Sequence, residues 1–328
     1  MNEEIKKLTT KAQEYAEMIE KVRTEISKVI VGQNDAVEKI IIALIANGHV
    51  LVEGVPGLAK TLMVHTLAQT MDSKFVRLQF TPDLLPADII GTKIYDHNNL
   101  KFNTVKGPIF SNFILADEIN RAPPKVQSAL LEAMQEKQVS IQGNTFKIEE
   151  PFMVLATQNP VENEGTYKLP EAQLDRFMMK LKVSYPSKDE EVDIITRFTE
   201  GQKAVAQKIL SVKNLIEMQK FNHKIYADDK IKDYVAEIVD ATRNPEKYGI
   251  NLGNYIEYGA SPRASLWLIL GAKANAMING RGYVVPEDVH EVVHDVLRHR
   301  VLMTYEAEAE NVQPEDVVKE ILEKVKVP

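Results

Sequence analysis

Apolar positions Ile5, Leu8, Ala12, Tyr15, Ile19, Val22, Ile26 and Val29 alternate spacings of three and four. That stripe predicts one amphipathic helix over residues 1–30. It suits a coiled-coil seam or a helix docked on the following chain, and its weak members and short length favour docking. Val31-Gly32-Gln33 interrupts it, and Asn34 or Asp35 caps a second helix reaching about Ala46. Short apolar runs then alternate with helical patterns. Strands are expected at 50–53, 74–80, 113–116, 152–157 and 178–183, and helices at 60–70 and 124–136, with a short helix closing at 174–177. Polar turns at Asn98-Asn99 and Gly143-Asn144 mark hairpins near 92–103 and 138–148. After 184–187 only helical periodicity remains, at 189–199, 212–224, 228–243, 262–279, 287–300 and 314–325. Strands alternating with helices, then helices alone, predict an α/β domain over 31–186 and a smaller all-α domain over 187–328.

The joint between the first strand and its helix carries chemistry. Gly54-Val55-Pro56-Gly57-Leu58-Ala59-Lys60-Thr61-Leu62 follows the apolar run Val50-Leu51-Val52. Strand, glycine-containing loop and helix are the context a phosphate-binding loop requires. The glycines let backbone N–H groups converge, and the helix adds its partly positive end. Lys60 then reaches the β- and γ-phosphates and Thr61 holds Mg²⁺. One glycine of the general pattern is replaced by Ala59, which an ordinary α conformation would tolerate. The bland alternative is a strand–turn–helix joint with a stray lysine. Upstream, the Gly32-Gln33 turn suits a nucleotide base, or is a plain connector.

Further residues fit around that loop. Asp117 and Glu118 close an apolar strand. The first can hold Mg²⁺ through water and the second can orient an attacking water. Asn159 ends the next strand, where an open α/β sheet presents its ligand-facing residues, although Asn before Pro160 also reads as a turn. Arg176, in Leu174-Asp175-Arg176-Phe177, falls too far along the chain to line the same strand ends; it acts on a neighbouring molecule or pairs with Asp175. Ser261 and Pro262 cap and open a helix whose first turn carries Arg263, placed to reach a nucleotide between the domains, or simply a surface arginine.

Composition narrows the choice. The 328 residues are 44% apolar and 27% charged, ordinary for globular chains. No run of 18 apolar residues predicts a membrane span, and Met1–Lys7 lacks a signal-peptide core. Absence of cysteine excludes disulfides and thiolate metal sites, and fits the cytoplasm. Forty Lys plus Arg against 47 Asp plus Glu give a net charge of −7, which argues against nucleic acid as a partner.

The order of phosphate loop, Asp-Glu strand, Asn strand, Leu-Asp-Arg-Phe and Ser-Pro-Arg resembles the AAA+ ATPases. The wording Gly54–Thr61, Gln79-Phe80-Thr81-Pro82-Asp83-Leu84-Leu85-Pro86, Ala116–Pro124 and Ala156–Pro160 resembles the MoxR family within them, over about residues 20–305. The resemblance implies a P-loop core with a five-stranded parallel sheet, flanking helices and two hairpin insertions, followed by an all-α lid. It implies ATP and Mg²⁺ as cofactors and Mg²⁺-dependent ATP hydrolysis. Lys60 and Thr61 would be the Walker A pair and Asp117 and Glu118 the Walker B pair. Asn159 would be sensor 1, Arg263 sensor 2, Arg176 the arginine finger, and Gln79 the polar residue that can hold Glu118 inactive. It further implies a hexameric ring that remodels or matures protein clients, or inserts a metal or cofactor into them, with a von Willebrand factor A domain partner. Arg121 gains no role from it. A small-molecule kinase, a nucleic-acid motor and a non-hydrolysing switch are the competing readings. Asn159 and Arg176 fit the kinase poorly, the acidic balance disfavours the motor, and Glu118 argues against the switch.

Overall fold

A computed structural model describes residues 3–55, 57–159, 166–201 and 204–328. The phosphate-loop Pro56, and Pro160 after Asn159, lie outside the described residues. The first half runs α1 (Glu3–Val29), α2 (Asn34–Ile45), β1 (Val50–Glu53), α3 (Lys60–Thr70), β2 (Phe75–Gln79), α4 (Pro86–Ile90), β3 (Gly91–Asp96), β4 (Lys101–Lys106), β5 (Phe113–Asp117), α5 (Pro124–Glu136), β6 (Gln138–Ile141), β7 (Asn144–Lys147), β8 (Met153–Gln158), α6 (Glu171–Leu174) and β9 (Met179–Lys182). The second half runs α7 (Lys188–Thr199), α8 (Val212–Asn222), α9 (Asp229–Arg243), β10 (Ile256–Tyr258), α10 (Pro262–Ile278), α11 (Pro286–Leu297), β11 (Leu302–Met303), α12 (Tyr305–Ala309) and α13 (Pro314–Lys324).

Five strands form one parallel sheet in the order β2-β5-β8-β1-β9. Alternation along each strand feeds two cores. Val50 and Val52, Phe113 and Leu115, and Met153 and Leu155 join one cluster; Leu51, Ile114, Ala116, Val154 and Ala156 join the other. Helix α5 covers the second face through Val126, Leu130, Leu131 and Met134. On the first face, α1, α2 and α3 share a continuous core with α8 to α11. Each fully buried aliphatic or aromatic side chain there contributes about 1.5–3 kcal/mol. That shared core places the helical second half against the sheet and α1.

The expected elements form, with the short helices α4 and α12 in addition and further local differences. Helix α1 docks as expected, through Ala12, Tyr15, Ile19, Val22 and Ile26, but against both α3 and α10, so it bridges the two halves. Neither Asn34 nor Asp35 caps α2: Gln33 precedes it in the left-handed conformation, φ 57°, with no side-chain cap. The second hairpin turns on Gln142-Gly143, φ 44° and 85°, one residue earlier than expected. Paired positive φ values are what a tight two-residue hairpin turn requires. The helical half also holds a small antiparallel ribbon, β10 with β11.

Candidate functional site

The loop that leaves β1 at its carboxyl end closes on itself. A Cβ on Gly54 would stand 2.9 Å from the Val183 carbonyl oxygen, so only glycine lets the loop pass the end of β9. Gly57 takes φ 89°. Ala59 takes φ 54°, ψ 17°, directly before Lys60. This corrects the expectation of ordinary α geometry. The chain must turn from loop into helix within one residue, and holding a side chain in that conformation costs about 1–2 kcal/mol. Lys60 Nζ donates to the Gly54 carbonyl oxygen at 2.6 Å. Burial pulls the Lys60 amine below its ordinary pKa, opposed by the nearby Asp117 and Glu118 carboxylates.

A cavity of about 400 Å³ opens over the loop. Gly57, Leu58, Ala59, Lys60, Thr61 and Leu62 line one side, and Arg77, Asp117, Glu118, Thr157 and Asn159 the other. The parallel register explains the gathering, because β5, β8 and β1 all end at this edge. Thr157 clamps the acidic pair: its hydroxyl donates to Asp117 Oδ1 at 2.6 Å and accepts from the Glu118 N–H at 2.8 Å. Glu118 sits at φ 56°, which turns its carboxylate from the strand toward Gln79 Nε2 at 2.9 Å and Arg121 Nε at 3.0 Å. Arg121, for which the sequence offered no role, is thus a partner of the water-directing candidate. Gly32 and Gln33 stand outside the cavity lining. Gln33 Nε2 donates to the Ser184 carbonyl oxygen at 2.9 Å, and the Glu190 carboxyl packs on Gly32, so this turn carries the start of α7.

The two remaining arginines gather elsewhere. Met179, the first residue of β9, pairs with Val50, the first of β1, and the Met178 N–H donates to the His49 carbonyl oxygen at 2.8 Å. Arg176 therefore lies at the amino end of the sheet. Strand β1 alone separates that end from the loop by about 10 Å, at roughly 3.3 Å per residue. Arg263 lies there too. Its Nη1 contacts Asp175 Oδ2 at 3.0 Å, and both arginines line a second cavity of about 280 Å³ with His49, Met134 and Trp267. Arg263 therefore lines a cavity between the two halves that is not the one over the subunit's own loop. Helix α10, which it opens, packs on α1 and α2 rather than over the loop.

Asp175 is the hub of this second cluster. It accepts from the Ser261 hydroxyl at 2.8 Å, from Arg263 and from Arg300 Nε at 2.8 Å, and no described contact joins it to Arg176. Burial works against its carboxylate, but Ser261, Arg300 and Arg263 outweigh it and hold the carboxyl below its ordinary pKa. Arg300 is almost wholly buried, pushed down to about 10 by that burial, and also donates to the Phe177 carbonyl oxygen at 2.6 Å. The Arg176 side chain makes no hydrogen bond or ion pair among the described residues, although its backbone N–H donates to the Gln173 carbonyl oxygen at 3.2 Å. Asp175→Ala leaves the Arg300 charge buried without its partner. It should destabilise the fold by about 3–5 kcal/mol, measured by denaturant unfolding; a loss below about 1 kcal/mol would contradict this reading of the cluster.

Comparison with known proteins agrees with this geometry. Residues 49–179 match the ATPase family associated with various cellular activities (AAA), and residues 252–321 match the AAA lid domain. The chain is 50% identical over 313 residues to Chaperone MoxR1 of Mycobacterium tuberculosis, covering 94% of this chain and 82% of that protein. It is 30% identical over 328 residues to Protein MoxR of Methylorubrum extorquens, covering 93% of each. A crystal structure of a Cytophaga hutchinsonii protein superposes with TM-score 0.92 at 49% identity, covering both chains fully.

Proposed function

The chain belongs to the MoxR family of AAA+ ATPases, a chaperone-type ATPase, and on that premise we propose how its residues divide the work. It binds nucleotide, hydrolyses ATP, and is of a class that assembles into oligomers and acts on clients. We place the boundary between core and lid near residues 186–187.

In our reading, Lys60 and the loop N–H groups from Gly54 to Leu62 hold the phosphates, and the Gly32-Gln33 turn flanks the base. Mg²⁺ would be held by the Thr61 hydroxyl and, through water, by Asp117. The donors suit it, being oxygens only. Both Asp117 oxygens are engaged, by Thr157 and by Arg77, which favours contact through water over direct ligation. When bound, the ion neutralises charge developing on the phosphates. Glu118 orients and polarises the attacking water, Asn159 steadies it, and Gln79 restrains Glu118.

Arg176 and Arg263 act on the nucleotide of an adjacent subunit. The observation that carries this is their shared position at the amino end of the sheet, away from the chain's own loop. A head-to-tail contact that brings one subunit's loop to the next subunit's arginines closes into a ring, here a hexamer. The β3–β4 hairpin bears exposed Ile94, Leu100 and Phe102, a tip suited to a protein client. With the β6–β7 hairpin it faces client or partner. A von Willebrand factor A domain protein is the partner we expect, in the cytoplasm; nucleic acid is not.

The experiment is a dilution series. Hydrolysis per subunit should rise with protein concentration, and fluorescence of Trp267, the sole tryptophan and a neighbour of both arginines, should change over the same range. Turnover per subunit that is constant across that range would refute sites completed in trans.

A further inference from the structure

Arg77, met so far only in the cavity lining and as a partner of Asp117, also touches Gln79. It lies on β2, the edge strand of the sheet, and its side chain is about half exposed. Residues two apart on a strand share a face, so Arg77 and Gln79 point the same way. Arg77 Nη2 donates to Gln79 Oε1 at 3.0 Å and to Asp117 Oδ2 at 2.6 Å, and Arg77 Nε reaches the same carboxylate oxygen at 3.1 Å. Gln79 Nε2 in turn donates to Glu118 Oε2 at 2.9 Å.

An amide accepts through one end and donates through the other. With a guanidinium donating to the oxygen of Gln79, only its NH₂ can face Glu118, as a carboxylate requires. Turned over, the amide would set its oxygen against the carboxylate and its NH₂ against the guanidinium. Arg77 therefore decides which end of Gln79 meets Glu118. Asp117 does not depend on Arg77 to the same degree, because Thr157 holds its other oxygen.

We propose that Arg77 is a positioning residue for ATP hydrolysis: it orients Gln79, and through Gln79 sets how firmly Glu118 is held. The proposal rests on the reading of Glu118 as the residue that directs water. A lysine in its place would keep the charge near Asp117 but lose the planar fork that spans carboxylate and amide.

The test is a double-mutant cycle in the full-length protein. Arg77→Ala, Arg77→Lys, Gln79→Ala and the Arg77→Ala/Gln79→Ala double variant are assayed for basal ATP turnover. Separately, equilibrium affinity for a fluorescent ATP analogue is measured with and without Mg²⁺. Each single variant should raise basal turnover about three- to tenfold, the factor one hydrogen bond supplies. The double variant should rise no further than Gln79→Ala alone. Analogue affinity should stay within about twofold of the parent, since removing a half-exposed edge-strand side chain leaves the lysine and loop in place.

Three results would overturn the proposal. Multiplying effects in the double variant would mean that Arg77 acts independently of Gln79. Unchanged turnover in Arg77→Ala would remove any positioning role. A roughly tenfold loss of analogue affinity would make Arg77 a phosphate ligand instead. Glu118→Gln run alongside separates the premise from the proposal: parental turnover there would sink the reading of Glu118 itself, and the Arg77 proposal with it.

Discussion

Arg176→Ala is expected to bind ATP as the parent does and to hydrolyse it about 10³–10⁵ more slowly, the range an arginine supplied to developing phosphate charge is worth where it has been measured. The expectation follows from place. The side chain stands at the amino end of a parallel sheet whose phosphate loop is at the carboxyl end, and it has no ion pair of its own among the described residues. Asp175, its chain neighbour, is committed to Ser261, Arg263 and Arg300. An unpaired guanidinium beside a saturated carboxylate is available to an incoming anion. Removing it touches nothing in the subunit's own cavity, so binding and chemistry should separate cleanly. A fluorescent ATP analogue reads the first and phosphate release the second. Arg263→Ala should fall in the same class, because Arg263 lines the same cavity. A variant of Arg176 that loses ATP binding in its own subunit would overturn this placement.

Glu118→Gln should likewise keep nucleotide and lose turnover, by about 10²–10⁴, the usual worth of a positioned acid–base group. The amide is nearly isosteric and can still meet Gln79 and Arg121, so the cavity wall should hold its shape. What disappears is the carboxylate able to polarise water. Because the trapped ATP state persists, this variant is also the one with which to capture a client. Near-parental phosphate release would remove Glu118 from the chemistry.

Much of this was legible in the chain. Helix α3 begins at Lys60 as expected, because a strand, two glycines and a following helical pattern all agree locally. That Asp117, Glu118 and Asn159 line one cavity follows from their strand-end positions, because strand ends in a parallel sheet converge whatever packs around them. The place of Arg263 was not legible, for the opposite reason. Its position depends on α10 packing against α1 and α2, contacts between residues more than 200 apart that no local pattern encodes. Ala59 was read by residue type, and alanine gives no hint of a left-handed backbone. The β10–β11 ribbon joins segments of three and two residues, too short for a period to register. Arg77 was the missed opportunity: its two-residue offset from Gln79 on a predicted strand already put both on one face.

The central claim is that each hydrolysis site is built from two subunits, and mixing two inactive proteins tests it most directly. Lys60→Ala lacks the phosphate-binding lysine but keeps Arg176; Arg176→Ala keeps Lys60 but lacks the arginine. Each alone should be nearly inert. Mixed at a concentration that supports assembly, they should regain a fraction of parental ATP hydrolysis, because some contacts pair an intact Lys60 loop with a neighbour's intact Arg176. Turnover in the mixture equal to the sum of the two separate proteins, under conditions where the subunits demonstrably co-assemble, would contradict the account.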